Sequence, residues 1–150
     1  MATRARIGII QDDLSVLSVY HHWDGYPEWL GVTLKEHYNT KEKVAKLIDG
    51  GNMSSCWSDN LYDYEKQEWV KREPQPEYYG GEDERPLHNV SFQRFLDEVS
   101  IWEEYVYVFV PNNGGWKAFS SKPIYDSNDE FIKCSILPVE IPEPELEEVA

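Results

Sequence analysis

Disulfide frameworks, metal-binding cysteine pairs and membrane spans all lack raw material in this chain of 150 residues. Its two cysteines, Cys56 and Cys134, make no framework and no zinc-type spacing, which suits a reducing compartment. No apolar run approaches the ~18 residues that a bilayer crossing needs. Met1 to Arg6 leads into a strand-like segment instead of the apolar core of a signal peptide, so the expectation is a soluble protein with no membrane partner. The chain also has no Walker loop, no GxGxxG, no GxSxG, no HExxH and no paired CxxC. These absences remove the main sequence signals for phosphate-loop, dinucleotide, serine-nucleophile and zinc chemistry, and no cofactor is expected.

Basic residues are scarce: 14 Lys and Arg stand against 28 Asp and Glu, for a net charge of −14. A surface of that sign repels phosphates at long range, so direct nucleic-acid binding is disfavoured. The acidity is uneven. Residues 1–50 hold six basic and seven acidic groups, 51–100 five and eleven, and 101–150 three and ten. The last stretch, 138–150, has five glutamates, three prolines and no base. It is expected to be a flexible acidic tail, because it has too little apolar surface to order itself.

What the chain does have is core material. With 41% hydrophobic and 14% aromatic residues, a chain of this length buries roughly 70% of its unfolded surface as one domain. That domain is expected over residues 1–137.

Residues 4–10 and 15–23 are rich in β-branched and aromatic types around Asp12-Asp13, and predict a hairpin. A three-residue loop sets Ile9 opposite Leu17 and Ile7 opposite Val19, with Arg6 opposite Tyr20 and Arg4 opposite His22 on the other face. A two-residue loop mixes the faces, so the pattern favours the first register. Pro27 with Leu30, Leu34 and Tyr38 predicts a helix near 27–38, and Asn39 with Glu42 resembles a cap for a second near 41–49. Lys41, Lys43 and Lys46 fall on the solvent side of that helix. One or two strands are expected in 56–72, and a long loop over 74–89 that includes His88. Ser91 caps a third helix with Phe92, Phe95, Leu96 and Val99 on one face. Tyr105 to Val110 is the strongest strand and would offer a pairing edge if uncovered, 116–120 completes a second hairpin, and 131–137 adds a last strand. The expected fold is α+β, with about three short helices on a mainly antiparallel sheet.

One segment is chemically dense: Tyr20-His21-His22-Trp23-Asp24-Gly25-Tyr26-Pro27-Glu28-Trp29. Strand alternation keeps His21 and His22 from facing one site. The helix start at Pro27 favours an anion, and Arg4 and Arg6 lie near Tyr20 and His22 in the register above. Arg4, Arg6, Tyr20, His22, Trp23, Asp24 and Tyr26 are therefore the candidate ligand-binding residues, for a small anionic, nucleotide-like molecule. The competing reading has Trp23, Tyr26 and Trp29 locking the turn onto the sheet, with Asp24 as a cap and the arginines in salt bridges. His21, His22, His37 and Asp24 are donor types for a metal, but no spacing organises them, and no metal is expected. Cys56 reads as an inert, half-buried thiol. An acid-base pair of Asp24 with His22 or His37 is the enzymatic alternative.

The runs TRARIGI, SVYHHWDGYPEWLGVTLKEHY and KVAKLIDGGNMSS, over residues 3–55, resemble a family of small uncharacterised proteins of tailed bacteriophages and prophages. Its usual marks are TRSRIG, an HWDGYPE-type motif, a helix ending in HY, and Leu-Ile-x-x-Gly before Ser-Ser. Tyr79-Gly80-Gly81-Glu82, the helix around Phe92–Val99 and the strand leading to Gly115-Trp116 resemble the second half more loosely. The chain departs where relatives tend to carry an arginine-rich stretch: here Gly81-Glu82-Asp83-Glu84 is acidic, and a phosphate-binding role of that loop is not implied. The resemblance implies a phage accessory protein acting in the host cytoplasm. The expected function is non-enzymatic: binding and inhibition of a host bacterial protein, or capture of a small anionic ligand. Two alternatives stand beside it. One is an acidic DNA mimic that occupies a nucleic-acid-binding protein, and the other is a small hydrolase or transferase using the His-Trp-Asp motif.

Overall fold

The opening hairpin forms in the register that keeps its apolar residues together. Strand β1 (Ala5–Ile10) pairs antiparallel with β2 (Val16–His21), setting Arg6 opposite Tyr20, Ile7 opposite Val19 and Ile9 opposite Leu17. Gln11 N–H donates to Ser15 O at 2.8 Å and closes the turn, Asp13 Oδ1 accepts from Ser15 N–H, and Leu14 takes φ +69°. This computed structural model describes residues 2–112 and 114–143.

Beyond β2 a wide helical turn (Pro27–Gly31) runs straight into α1 (Val32–His37), close to the expected span. Helix α2 (Lys41–Asp49) is capped one residue later than Asn39: Thr40 is the residue with extended backbone, and its hydroxyl accepts from Lys43 N–H at 3.2 Å. Strands β3 (Met53–Asp63) and β4 (Glu68–Tyr78) form a long hairpin. The expected loop at 74–89 is therefore largely structured. Pro74 and Pro76 sit in β4, where an edge strand tolerates the missing N–H groups, and β5 (Leu87–Asn89) pairs with β2. Helix α3 (Phe92–Asp97) is capped by Ser91 as expected.

Strand β6 (Tyr105–Val110) lies parallel to β1, followed by β7 (Gly115–Tyr125) and β8 (Phe131–Val139). Among the described residues the eight strands form one open sheet in the order β4-β3-β2-β1-β6-β7-β8, with β5 beside β2. Tyr105–Val110 is thus no edge, because β1 and β7 flank it. The fold is α+β, with antiparallel pairs in the majority.

Residues 138–143, expected as the start of a tail, are structured. Pro138 and Val139 finish β8 opposite Phe119 and Ala118. Residues 140–143 run back across the first helical stretch: Ile141 lies so close to Gly31 that a Cβ there would sit 2.9 Å from it, and Glu143 meets Lys35 at 3.0 Å. The rest of that expectation, 144–150, lies outside the described residues.

Both faces of the sheet are covered at their centre. On one, Ala5, Ile7, Ile9, Val19, Tyr107 and Phe109 pack with Leu30, Leu34, Val44, Leu47 and Ile48 from the helical stretch 27–49. On the other, Val16, Val106 and Val108 pack with Phe95 and Val99 around α3. Helix α3 is short, so that second face stays open at the end where β1 begins and β2 finishes.

Candidate functional site

The open end of the second face is built by strand alternation. Ile7 and Val19 point into the larger core, so Arg6, Tyr20 and, one pair beyond, Arg4 and His22 point the other way. The parallel pairing of β1 with β6 then brings in residues distant in sequence. Glu104 N–H donates to Arg4 O at 2.8 Å, and the turn before β6 carries Trp102 and Glu103 onto this face.

Arg6 is tied down. Its Nε donates to Glu103 Oε2 at 2.6 Å and its guanidinium reaches Ser18 Oγ at 3.0 Å, while Glu103 Oε1 accepts from Ser100 N–H. The two side chains are 13% and 3% exposed. This is a hydrogen-bonded buried ion pair that anchors the Ser100–Glu104 turn. It uses up Arg6, in the way the competing sequence reading expects of the arginines.

Arg4 is differently placed. Its guanidinium lies 5.7 Å from the centre of the Trp102 ring, within cation-π range. Tyr20 hydroxyl and His22 Nδ1 are 2.6 Å apart, and the His22 ring meets Trp23 edge to face at 4.6 Å. Burial, and then the nearby Arg4 charge, hold the His22 pKa below its usual value. Burial raises the Tyr20 hydroxyl, although Arg4 opposes this. At neutral pH the imidazole is therefore neutral, and its Nδ1 shares one hydrogen bond with the Tyr20 hydroxyl. Tyr79, just after β4, completes the row: burial and then Glu84 and Glu77 raise its hydroxyl, and Arg4 acts in the other direction.

Of the seven candidates, Arg4, Arg6, Tyr20 and His22 share this face, and Trp23 packs on His22. Asp24 is exposed in the following turn at φ +53°, and Tyr26 precedes the Pro27 turn. No hydrogen bond or ion pair joins Asp24 to His22 or His37 among the described residues. His37 stacks instead on Trp57 at 3.7 Å, at the end of α1. Trp102, Tyr79 and Glu103 belong to the face although none of them was a candidate ligand-binding residue in the sequence. Their neighbours there give no local signal, and only the pairing of distant strands brings them to Arg4.

Gly25 fixes the turn that carries this motif. Its N–H donates to Thr3 O at 2.8 Å and its carbonyl accepts from the buried Tyr107 hydroxyl at 2.6 Å. A Cβ at Gly25 would lie 2.7 Å from Thr3 O and 2.8 Å from Ala5 Cβ.

His21 goes to the opposite face and is fully buried. Its Nε2 accepts from Cys56 N–H at 3.0 Å, and burial with the nearby His22 pushes its pKa down to about 3. Cys56 is wholly buried, not half-buried, and burial pushes its thiol up. The bond runs to the Cys56 backbone, so imidazole and thiol do not form a nucleophile-base pair. Among the described residues no group of three or more His, Cys, Asp or Glu could hold a metal ion, and no helix is long and apolar enough to cross a membrane.

The Arg4 face is open ground. Hollows of about 380 to 630 Å³ lie elsewhere on the surface, and one of about 570 Å³ adjoins the face at Trp102, lined also by Tyr105 and Ser121. What the face offers is exposed aromatic area: Trp102 is 65% exposed, Trp23 49% and Tyr79 48%, with the Arg4 guanidinium against Trp102 and the His22 imidazole against Trp23. Compared with known proteins, the chain matches no protein-family model, no curated protein and no solved structure.

Proposed function

We propose that the protein is a non-enzymatic accessory protein of a bacteriophage that binds, and thereby inhibits, a host bacterial protein through the Arg4–Trp102 face. The observation that carries this reading is the composition of the open end of the sheet. Trp102 lies against Arg4 and Trp23 against His22, with Tyr79 in reach of the Arg4 charge, and all three rings stand exposed; Trp, Tyr and Arg are the residue types that dominate binding energy at protein interfaces. Exposed apolar area gathered in one place on a protein surface marks an interaction site.

Its three rings are about half exposed or more, which favours a macromolecular partner over a small captured ligand, since small-molecule sites bury most of their ligand in a concave pocket. The net charge of −14 supports a basic partner, whose approach it would steer. The phage setting and the host cytoplasm rest on the resemblance of residues 3–55.

Affinity capture from bacterial lysate tests the reading. The wild-type chain and Phe131→Ser, altered on the distant β8, should retain one stoichiometric protein, and a Trp23→Ala/Trp102→Ala variant should lose it. Equal capture by all three, or by none, overturns the proposal. A thermal shift with nucleoside phosphates that Arg4→Ala abolishes would instead move the reading to a small anionic ligand.

A further inference from the structure

The long hairpin of β3 and β4 reaches well past the body of the sheet. Each strand has eleven residues, yet the ladder joining β3 to β2 consists of His21 opposite Met53 at the inner end. The outer end pairs Leu61 with Val70, Tyr62 with Trp69 and Asp63 with Glu68. It therefore stands free of the core that would explain its composition.

Two features of that tip are costly for an isolated hairpin. The first is a cluster of uncovered rings. Tyr62 contacts Tyr64 at 5.0 Å and Trp69 at 5.3 Å between ring centres, both edge to face. Tyr64 is 85% and Trp69 66% exposed, and with Gln67 the three rings line a hollow of about 530 Å³. The second is a pair of carboxylates directly opposite one another, Asp63 and Glu68, an arrangement that weakens a strand pair. Asp63 accepts from the N–H groups of Glu65 and Lys66 in the turn, but among the described residues neither Asp63 nor Glu68 is in an ion pair.

A cation relieves both at once. Strand alternation sets the two carboxylates on the other side of the ribbon from Tyr62 and Trp69, and Glu65 lies in the turn beside Tyr64. A single backbone layer separates them, a distance on the order of the screening length of about 8 Å in physiological salt, so part of their field reaches the rings. Aromatic faces attract guanidinium and ammonium groups through their quadrupole. We propose that the tip of the β3–β4 hairpin is a docking site for an arginine- or lysine-bearing segment of a partner protein, the cationic head seated on Tyr62, Tyr64 and Trp69 within the field of Asp63, Glu65 and Glu68. This site is separate from the Arg4–Trp102 face and stands or falls without it.

The test uses the full chain and a Gly-Ser peptide bearing four arginines, with a matched peptide carrying neutral citrulline at those positions. Backbone amide shifts on titration should centre on residues 61–69 for the arginine peptide and be absent for the citrulline peptide. Tyr64→Ala and Trp69→Ala each keep every charge and should weaken binding by about two- to fivefold, the range for one exposed cation-π contact. Both side chains are exposed, so the variants should melt with the wild type. Shifts centred elsewhere on the acidic surface, equal binding of the citrulline peptide, or unchanged affinity in both ring variants would overturn the proposal. A Trp23→Ala/Trp102→Ala variant should bind the peptide as the wild type does, which separates a failure here from a failure of the other face.

Discussion

The ion pair beneath the Trp102 turn makes the sharpest stability prediction. Glu103→Ala removes one partner of a pair whose members are 13% and 3% exposed and 2.6 Å apart. What remains is the Arg6 guanidinium, taken out of water with only Ser18 Oγ to satisfy it, and the Ser100 N–H without its acceptor. Removing one member of such a pair costs about 3 to 5 kcal/mol, because the loss includes the uncompensated charge and not just the attraction. Against a total stability of about 5 to 15 kcal/mol, that is a large fraction. With a urea slope near 2 kcal/mol/M, the midpoint should fall by about 2 M. Urea unfolding followed by tryptophan fluorescence reads it directly. Arg6→Met/Glu103→Leu, which replaces the whole pair by apolar groups, should recover most of the loss, short of the bond to Ser100. The loss in Glu103→Ala should also persist in high salt, unlike any contribution of the exposed Lys71–Asp59 pair. A loss below about 1 kcal/mol would refute the account, since an exposed pair gives no more than that.

Two further outcomes follow from His21 and Gly25. Folded His21 takes up its proton only near pH 3, whereas the unfolded chain does so near 6.5. The unfolded state thus binds more protons in that window, so the stabilisation is complete above about pH 6.5 and is lost as pH falls through it, at about 1.4 kcal/mol per pH unit. The difference between wild type and His21→Gln, from urea midpoints at pH 7 and pH 5, isolates this from the carboxylates; a constant difference would contradict it. Gly25→Ala should destabilise by about 1 to 3 kcal/mol, because the new methyl meets Thr3 O and Ala5 Cβ and the turn must move. A thermal melt checks it, and an unchanged melting temperature would show that the turn is slack.

Periodicity determined much of this molecule from the chain alone. The β1–β2 register was legible because a one-residue slip would turn Ile7, Ile9 and Val19 out of the core, a penalty written in adjacent residues. The same holds for α3, where Ser91 and the spacing of Phe92, Phe95 and Leu96 announce a capped amphipathic helix. Local signals misjudged 74–89, since Pro74 and Pro76 read as loop until β4 is known to be an edge strand, where their missing N–H groups face no neighbour. The site divides in the same way. Arg4, Tyr20 and His22 could be placed together from one hairpin, because the contacts span fewer than twenty residues. That Arg6 would be spent on Glu103, that Trp102 would sit beneath Arg4, and that His21 would be sealed against Cys56 depend on β6 lying parallel to β1 and on β3 following β2. Those pairings join residues 35 to nearly 100 positions apart. Their energy comes from packing around a shared core, which no local pattern encodes, so only the tertiary structure decided them.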